Sequence, residues 1–176
     1  MTSSLIVEEV DLGGFPEIAD KHAVEGLSRE FLGGMYQMTS TGHAQGVLRD
    51  SGFEGRTNAL REKSTPFAID CGRICLKLCA ERATYSVGDQ LLRSSASVGA
   101  NVAEANGAYS VRDFALKISI AYKEARESRF WLQYSNGLDL VTPAQYHDLF
   151  TRAEELIRIL GKITSTLRSR YPRKKT

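Results

Sequence analysis

From Ser64 onward the amino-acid sequence reads as all-α, an antiparallel up-down-up-down four-helix bundle preceded by a partly ordered N-terminal extension. Three features point there. Apolar residues recur at helical a/d spacing through four successive segments, each segment opens or closes on a helix signal, and no strand-like alternation competes. Short connections favour antiparallel neighbours, and a bundle is the usual way for four amphipathic stripes to bury one another. The chain divides into a glycine-rich acidic extension (1–63), the bundle (64–171) and a basic tail (172–176).

Residues 1–63 hold 9 of the 15 glycines and lack persistent periodicity. A helix over about Pro16 to Phe31 is compatible with Ile18, Val24, Leu27 and Phe31, although Gly26 interrupts it. The first bundle helix is expected from Thr65 as N-cap and Pro66 at the first helical position to about Arg82. Phe67, Cys71, Ile74, Cys75 and Leu78 mark its inner face. Ser86-Val87-Gly88-Asp89 resembles a capping box and opens a second helix, which stops near Asn106-Gly107.

Ser110-Val111-Arg112-Asp113 repeats the capping pattern. It introduces a long helix with Phe114, Ile118, Ala121, Ala125, Ser128 and Leu132 in a/d register and a second stripe, Leu116, Ile120, Trp131, Tyr134 and Leu138, beside it. Asn136-Gly137 breaks it. Thr142-Pro143-Ala144-Gln145 then combines an N-cap, an N1 proline and a capping-box glutamine. Tyr146, Leu149, Ala153, Leu156, Leu160, Ile163 and Leu167 follow without a miss, the strongest periodic signal in the chain. Phe130, Trp131, Tyr134, Phe150 and Ile157 fall outside the seam, which is more apolar surface than one bundle needs and argues for a homo-oligomer.

Composition bounds the function. Hydrophobic residues at 42% and charged ones at 25% suit a globular domain, and no apolar run approaches the ~20 residues of a membrane span. Glu8-Glu9 directly follows the short cluster Leu5-Ile6-Val7, so no signal peptide is expected and the cytoplasm is the expected location. The net charge of +2 conceals an uneven distribution. Residues 1–63 carry 6 Lys/Arg against 10 Asp/Glu, and residues 64–176 carry 17 against 11. Arg168, Arg170, Arg173, Lys174 and Lys175 cluster at the end. On charge alone this reads as a solvated, solubilising terminus.

No catalytic constellation stands out. Cys71, Cys75 and Cys79 recur at i, i+4, i+8, a core-facing line rather than the paired spacing of a zinc site. A di-iron bundle would need Glu-x-x-His motifs, whereas Glu124 and Glu127 make only Glu-x-x-Glu and alternate with Arg126 and Arg129. The three histidines, His22, His43 and His147, are scattered, and the serines of helix two have none nearby. Neither a metal nor a cofactor is expected.

The least ordinary stretch is Leu91–Ala105, LLRSSASVGANVAEA. Ser94, Ser97 and Asn101 fall near one helical line and Leu91, Ser95, Val98 and Val102 on another, so two neighbouring helices can approach closely. Arg93, Asn101 and Glu104 then need partners, because a buried polar group left unpaired costs on the order of several kcal/mol. A polar network of these three, with Asn101 bonding across to another helix, is the expectation.

This stretch and the following Ser110-Val111-Arg112-Asp113-Phe114 resemble the signature of a bacterial four-helix bundle family known from proteins encoded in intervening sequences of 23S ribosomal RNA genes. Arg93, Ser97, Val98, Asn101, Val102, Ala103, Glu104, Ser110, Asp113 and Phe114 match it in type and spacing, and Ala105 stands where the family has glycine. Arg129-Phe130-Trp131-Leu132 and Leu156-Ile157-Arg158-Ile159-Leu160 are similar as well, including to the branch that accompanies reverse transcriptases in diversity-generating retroelements. The resemblance covers about residues 66–170. It implies a cytoplasmic, non-enzymatic homopentamer whose basic surfaces bind RNA or DNA and a reverse transcriptase. It also moves the C-terminal cluster, Arg168, Arg170, Arg173, Lys174 and Lys175, from solubilising residues to nucleic-acid contacts. Arg126, Arg129, Arg152 and Arg158 are the next candidates. The competing expectation is a protein-only adaptor that recruits a partner through residues 1–63.

Overall fold

The computed structural model describes the backbone of residues 51–170 and the side chains of residues 58–169. The expected helix over 16–31, the extension's partial order and the basic tail lie outside the described residues. Four helices follow in order: α1 (Ser51–Leu78), α2 (Tyr85–Asn106), α3 (Val111–Gly137) and α4 (Pro143–Arg170). They form the anticipated all-α bundle. The seams α1/α2, α2/α3 and α3/α4 are extensive, and α4 closes on α1 more sparsely.

The inner faces are those the periodicity marks. Phe67, Cys71, Ile74, Cys75 and Leu78 of α1, Phe114, Ile118, Ala121, Ala125, Ser128 and Leu132 of α3, and Leu149, Ala153, Leu156, Leu160, Ile163 and Leu167 of α4 are all buried. Burial pushes the Cys71 and Cys75 thiols up to about 12, so both are kept protonated and unreactive inside the core.

Helix α1 corrects the expected start. It begins at Ser51, not Thr65, and Pro66 lies inside it. A proline removes one N–H and displaces the carbonyl four residues back, here that of Glu62. Pro66 and Glu62 are both on the exposed side, where water can reach the freed carbonyl, so the interruption falls where it costs least. Leu60 and Ser64, buried in phase with Phe67, carry the core face further toward the N-terminus.

The start of α2 also differs. Ser86 does not cap it; Thr84 occupies the N-cap and makes no side-chain capping bond. Its hydroxyl instead donates to the Leu78 carbonyl at 2.7 Å, satisfying an orphan acceptor at the end of α1. The turn is tight because Gly88 lies against α1. A Cβ there would sit 2.8 Å from Leu78 Cβ and from Cys79 Sγ.

The other two starts match the sequence signals. Ser110 accepts from the Asp113 N–H at 3.1 Å, and the Asp113 carboxylate accepts from the Tyr109 N–H at 3.3 Å. At α4 the Gln145 N–H donates to Thr142 Oγ1 at 3.2 Å while Gln145 Oε1 accepts from the Thr142 N–H at 3.0 Å, a reciprocal capping box. Helix α3 ends in a Schellman motif, with the Leu140 N–H donating to the Ser135 carbonyl at 2.9 Å and the Asp139 N–H to the Asn136 carbonyl at 3.1 Å. Asp139, at φ 54°, occupies the left-handed position that glycine fills at least cost.

Two stability measurements follow from this geometry. Gly88→Ala should lower the free energy of unfolding by about 1–3 kcal/mol, since backbone and Cβ atoms of α1 must move. Gly99→Ala should be neutral or stabilise by up to ~1 kcal/mol through helix propensity, because its Cβ would meet Ala68 at an ordinary 3.5 Å. Equal destabilisation by both in urea unfolding would refute the packing argument. Asp139→Gly should stabilise by about 0.5–1 kcal/mol in the same assay.

Candidate nucleic-acid interface

The sequence-derived basic residues fall into three groups. Arg126 and Arg168 are exposed, on α3 and at the end of α4. The Arg126 guanidinium lies 5.8 Å from the centre of the Tyr122 ring, and that ring rests on Gly161 of α4, where a Cβ would be only 3.1 Å from it. A cation is thereby held over the α3/α4 groove. Arg129 and Arg152 are half-buried and engaged by carboxylates. Arg129 pairs with Glu154 across α3/α4 at 2.6 Å, and Arg152 pairs at 3.0 Å with both Asp70 of α1 and Asp148 of its own helix. Their observed role is to bind helices together. The side chains of Arg170, Arg173, Lys174 and Lys175 lie outside the described residues.

Arg158 is the informative case. It is half-buried one turn beyond Glu154, and its Nη2 is enclosed without a hydrogen-bond partner among the described residues, as is Arg129 Nε. The Arg129–Glu154 and Tyr122–Gly161 contacts set an antiparallel register that brings Arg126, Arg129 and Arg158 to one stretch of the groove. Of the three, Arg126 is the exposed cation that an external anion can reach directly.

The expected network of Arg93, Asn101 and Glu104 is not one network. Arg93 is exposed and reaches only Asp89, at 3.9 Å on its own helix. Asn101 Nδ2 donates to the Ser97 carbonyl at 2.9 Å and to Ser97 Oγ at 3.2 Å, both within α2 rather than across to a neighbour. Glu104 does cross, to Lys117 of α3. The cross-helix bond in the buried seam is made by smaller groups, Ser128 Oγ donating to Ser94 Oγ at 3.1 Å. Asn101 is half-exposed at the edge of the seam, so its amide needs no partner on another helix. Beside it, burial and the neighbouring Glu127 raise the Glu124 pKa, opposed by a hydrogen bond with Ser97. Sequence reasoning missed this Ser97–Glu124 contact, whose signal is the serine line facing the glutamates of α3.

The seam between α1 and α4 carries ion pairs on its outer side. Lys63 and Glu155 pair at 2.8 Å, and with the Asp70–Arg152 pair they flank an open cleft of about 430 Å³ between α1 and α4. Among the described residues no group of three His, Cys, Asp or Glu is placed to hold a metal ion, and none of the described helices is long and apolar enough to cross a membrane. Large apolar side chains meanwhile face outward on α3. Leu116, Phe130, Tyr134 and Leu138 are each about half exposed, and Phe130, Trp131 and Tyr134 pack together with ring centres 5.1–6.1 Å apart.

A four-helix bundle with a small-residue central helix, outward aromatics and a cationic groove defines the class of protein. The family follows from sequence. The model of the 23S rRNA-intervening sequence protein family matches residues 56–162, and the chain belongs to that family. Among solved structures it is similar to a protein of unknown function from the S23 ribosomal protein family of Bacteroides thetaiotaomicron. The two share 33% identity over 62% of this chain and 97% of that one, with a TM-score of 0.57. No curated protein matches the chain.

The α1/α4 seam gives a pH prediction. The hydrogen bond from Arg152 holds the Asp70 carboxyl below its ordinary pKa, against an opposing effect of burial. Its contribution is therefore present above the unfolded-state pKa and is lost as pH falls through the lower folded value. Asp70→Asn should flatten the loss of stability below about pH 4, and a double-mutant cycle with Arg152→Gln should give a coupling of ~0.5–1 kcal/mol. A coupling of zero would mean that the pair is incidental.

Proposed function

We propose that the protein is a non-enzymatic, homo-oligomeric nucleic-acid-binding accessory protein. The observation that carries this reading is the cationic stretch of the α3/α4 groove, where Arg126 is exposed over Tyr122 and neither it nor the half-buried Arg158 makes an ion pair with a described residue. Arg168 and Arg170 in the last turn of α4, and Arg173, Lys174 and Lys175 after it in the sequence, add further positive charge. Phosphates suit such a surface, because guanidinium forks accept their geometry and counterion release adds affinity. The ligand is RNA or DNA held through its backbone.

The outward aromatic stripe of α3 supports self-association, since a soluble monomer rarely leaves such a cluster uncovered. A homopentamer is the assembly we propose, and a reverse transcriptase of a diversity-generating retroelement the protein partner, both resting on the family resemblance. The adaptor alternative, with recruitment through the extension, predicts that a partner survives nuclease treatment and is lost on deleting residues 1–50. The cut belongs there because α1 already begins at Ser51.

Replacing Arg168, Arg170, Arg173, Lys174 and Lys175 together by Gln should weaken binding of a single-stranded oligonucleotide about 10-fold or more in moderate salt. It should also reduce the log–log salt slope by ~0.7 for every phosphate that is no longer neutralised. An unchanged affinity and slope would remove the tail from the interface. Phe130→Asp with Tyr134→Asp should lower the mass in light scattering to that of a single chain while the helical circular dichroism persists, and retention of the oligomer would place the interface elsewhere.

A further inference from the structure

A ring of identical copies needs two different faces on each copy, one for each neighbour. The aromatic stripe of α3 supplies one of them. Among the described residues eight large hydrophobic side chains are exposed, and none of them is on α4. Phe130, Tyr134 and Leu138 belong to the stripe, whereas Ile69 (51% exposed) and Leu76 (71%) on α1, with Tyr85 (53%) at the start of α2, form a second group. Gly72 lies between the two α1 residues, and a Cβ there would first meet Leu92 Cδ1, at 3.7 Å across the α1/α2 seam. Leu92 is half-buried and Ala96, one turn on, is exposed. The second face is thus apolar, with a gap at Gly72 and Ala96 between larger side chains.

The two faces cannot meet within one chain, because α2 stands between them. It meets α1 at Gly88 and Gly99, and α3 through the Ser94–Ser128 bond and the Glu104–Lys117 pair. The same contacts fix the heights. With Ser94 opposite Ser128, Phe130 to Leu138 lie beside the first half of α2; with Gly88 against Leu78 and Gly99 against Ala68, Ile69 to Leu76 lie beside that half too. Copies joined through these faces can repeat without a rise along the bundle axis, the condition for a closed ring rather than a filament. Shape and charge are complementary. Bulky aromatic side chains protrude from α3, and the α1/α2 face has a gap to receive them. Glu127, exposed beside the aromatics, makes no ion pair with a described residue, while Arg73 and Arg93, each 75% exposed, border the α1/α2 face. Pairing of the stripe with its own copy would leave Ile69 and Leu76 bare and bring Glu127 toward its like.

We infer that the aromatic edge of α3 in one copy seats on the α1/α2 face of the next, around Ile69, Gly72, Leu76 and Leu92. Each copy then inserts one face and receives on the other. The inference rests on the self-association reading above and names the surface that the stripe covers.

The test uses whole chains, each altered at one face. Phe130→Asp with Tyr134→Asp removes the first face and Ile69→Glu with Leu76→Glu the second; all four side chains are exposed, and circular dichroism checks that the helices persist. Each variant alone should have the mass of a single chain in light scattering. The two are then mixed in equal amounts, about 10-fold above the concentration at which the unaltered chain assembles, because a single contact lacks the avidity of the ring. They should form a complex of two chains and nothing larger, since each retains one intact face. Gly72→Gln, whose Cβ meets only an ordinary contact within its own chain, should weaken assembly of an otherwise unaltered chain about 10-fold or more. Full assembly by the Ile69→Glu, Leu76→Glu chain, a mixture that stays at one chain or grows past two, or a Gly72→Gln chain that assembles normally overturns the inference and leaves self-association standing. A single-chain mass for the unaltered protein overturns the self-association reading, and this inference with it.

Discussion

The close approach of α2 to both of its neighbours is the constraint on which the rest of this structure depends. Gly88, Ser94, Ser95 and Gly99 are buried between α1 and α3, and none carries more than two heavy atoms beyond its Cα. Large side chains at these positions would hold the helices further apart and empty the layer now filled by Leu91, Val98 and Val102. The hydroxyls are satisfied locally, Ser94 by the Leu91 carbonyl at 3.3 Å and Ser95 by that of Leu92 at 3.2 Å, so the seam is polar in composition without burying unpaired donors. A stretch that could pass for a serine-rich active site is therefore a packing surface.

Much of this was legible in the sequence because it rests on local rules. The boxes at Ser110 and Thr142 bring donor and acceptor together within four residues, and the heptad of α4 repeats one relation many times. Sequence and structure diverge where two local rules conflict or where the answer lies on another helix. Thr65-Pro66 carries a start signal, yet Leu60 and Ser64 already lie in phase with the core, and burial of that face outweighs one absent hydrogen bond on the solvent side. Ser86 carries a cap signal, but the Thr84 hydroxyl serves the preceding helix. Asn101 invites a partner on another helix, but Ser97 lies one turn away and takes its amide.

The candidate site was less legible, because an arginine's availability depends on the register between helices. Nothing within α4 distinguishes Arg152 from Arg158. Each has a carboxylate four residues earlier, but Glu154 is taken by Arg129 of α3, which leaves Arg158 Nη2 without an acceptor among the described residues, whereas Arg152 keeps Asp148 and gains Asp70 of α1. An arginine held by two carboxylates, as Arg152 is, must give up those bonds before it can take any other anion.

Small residues inside and large ones outside are two consequences of one arrangement. Because α2 lets its neighbours draw in, the inner faces of α1, α3 and α4 suffice to fill the core, and the aromatic side chains of α3 are left facing outward. Trp131 packs against the core and meets the outward Phe130 and Tyr134 edge-on, and Glu127 accepts from Trp131 Nε1 at 3.3 Å, which holds the indole between core and surface. Such a preformed apolar surface loses little side-chain entropy when covered, which favours association with a second rigid surface. It borders the groove that holds Arg126, Arg129 and Arg158 on the same helix pair, so an assembly built on the aromatics would carry its cations in repeated register. In such an assembly, repetition would convert weak anion contacts into avidity.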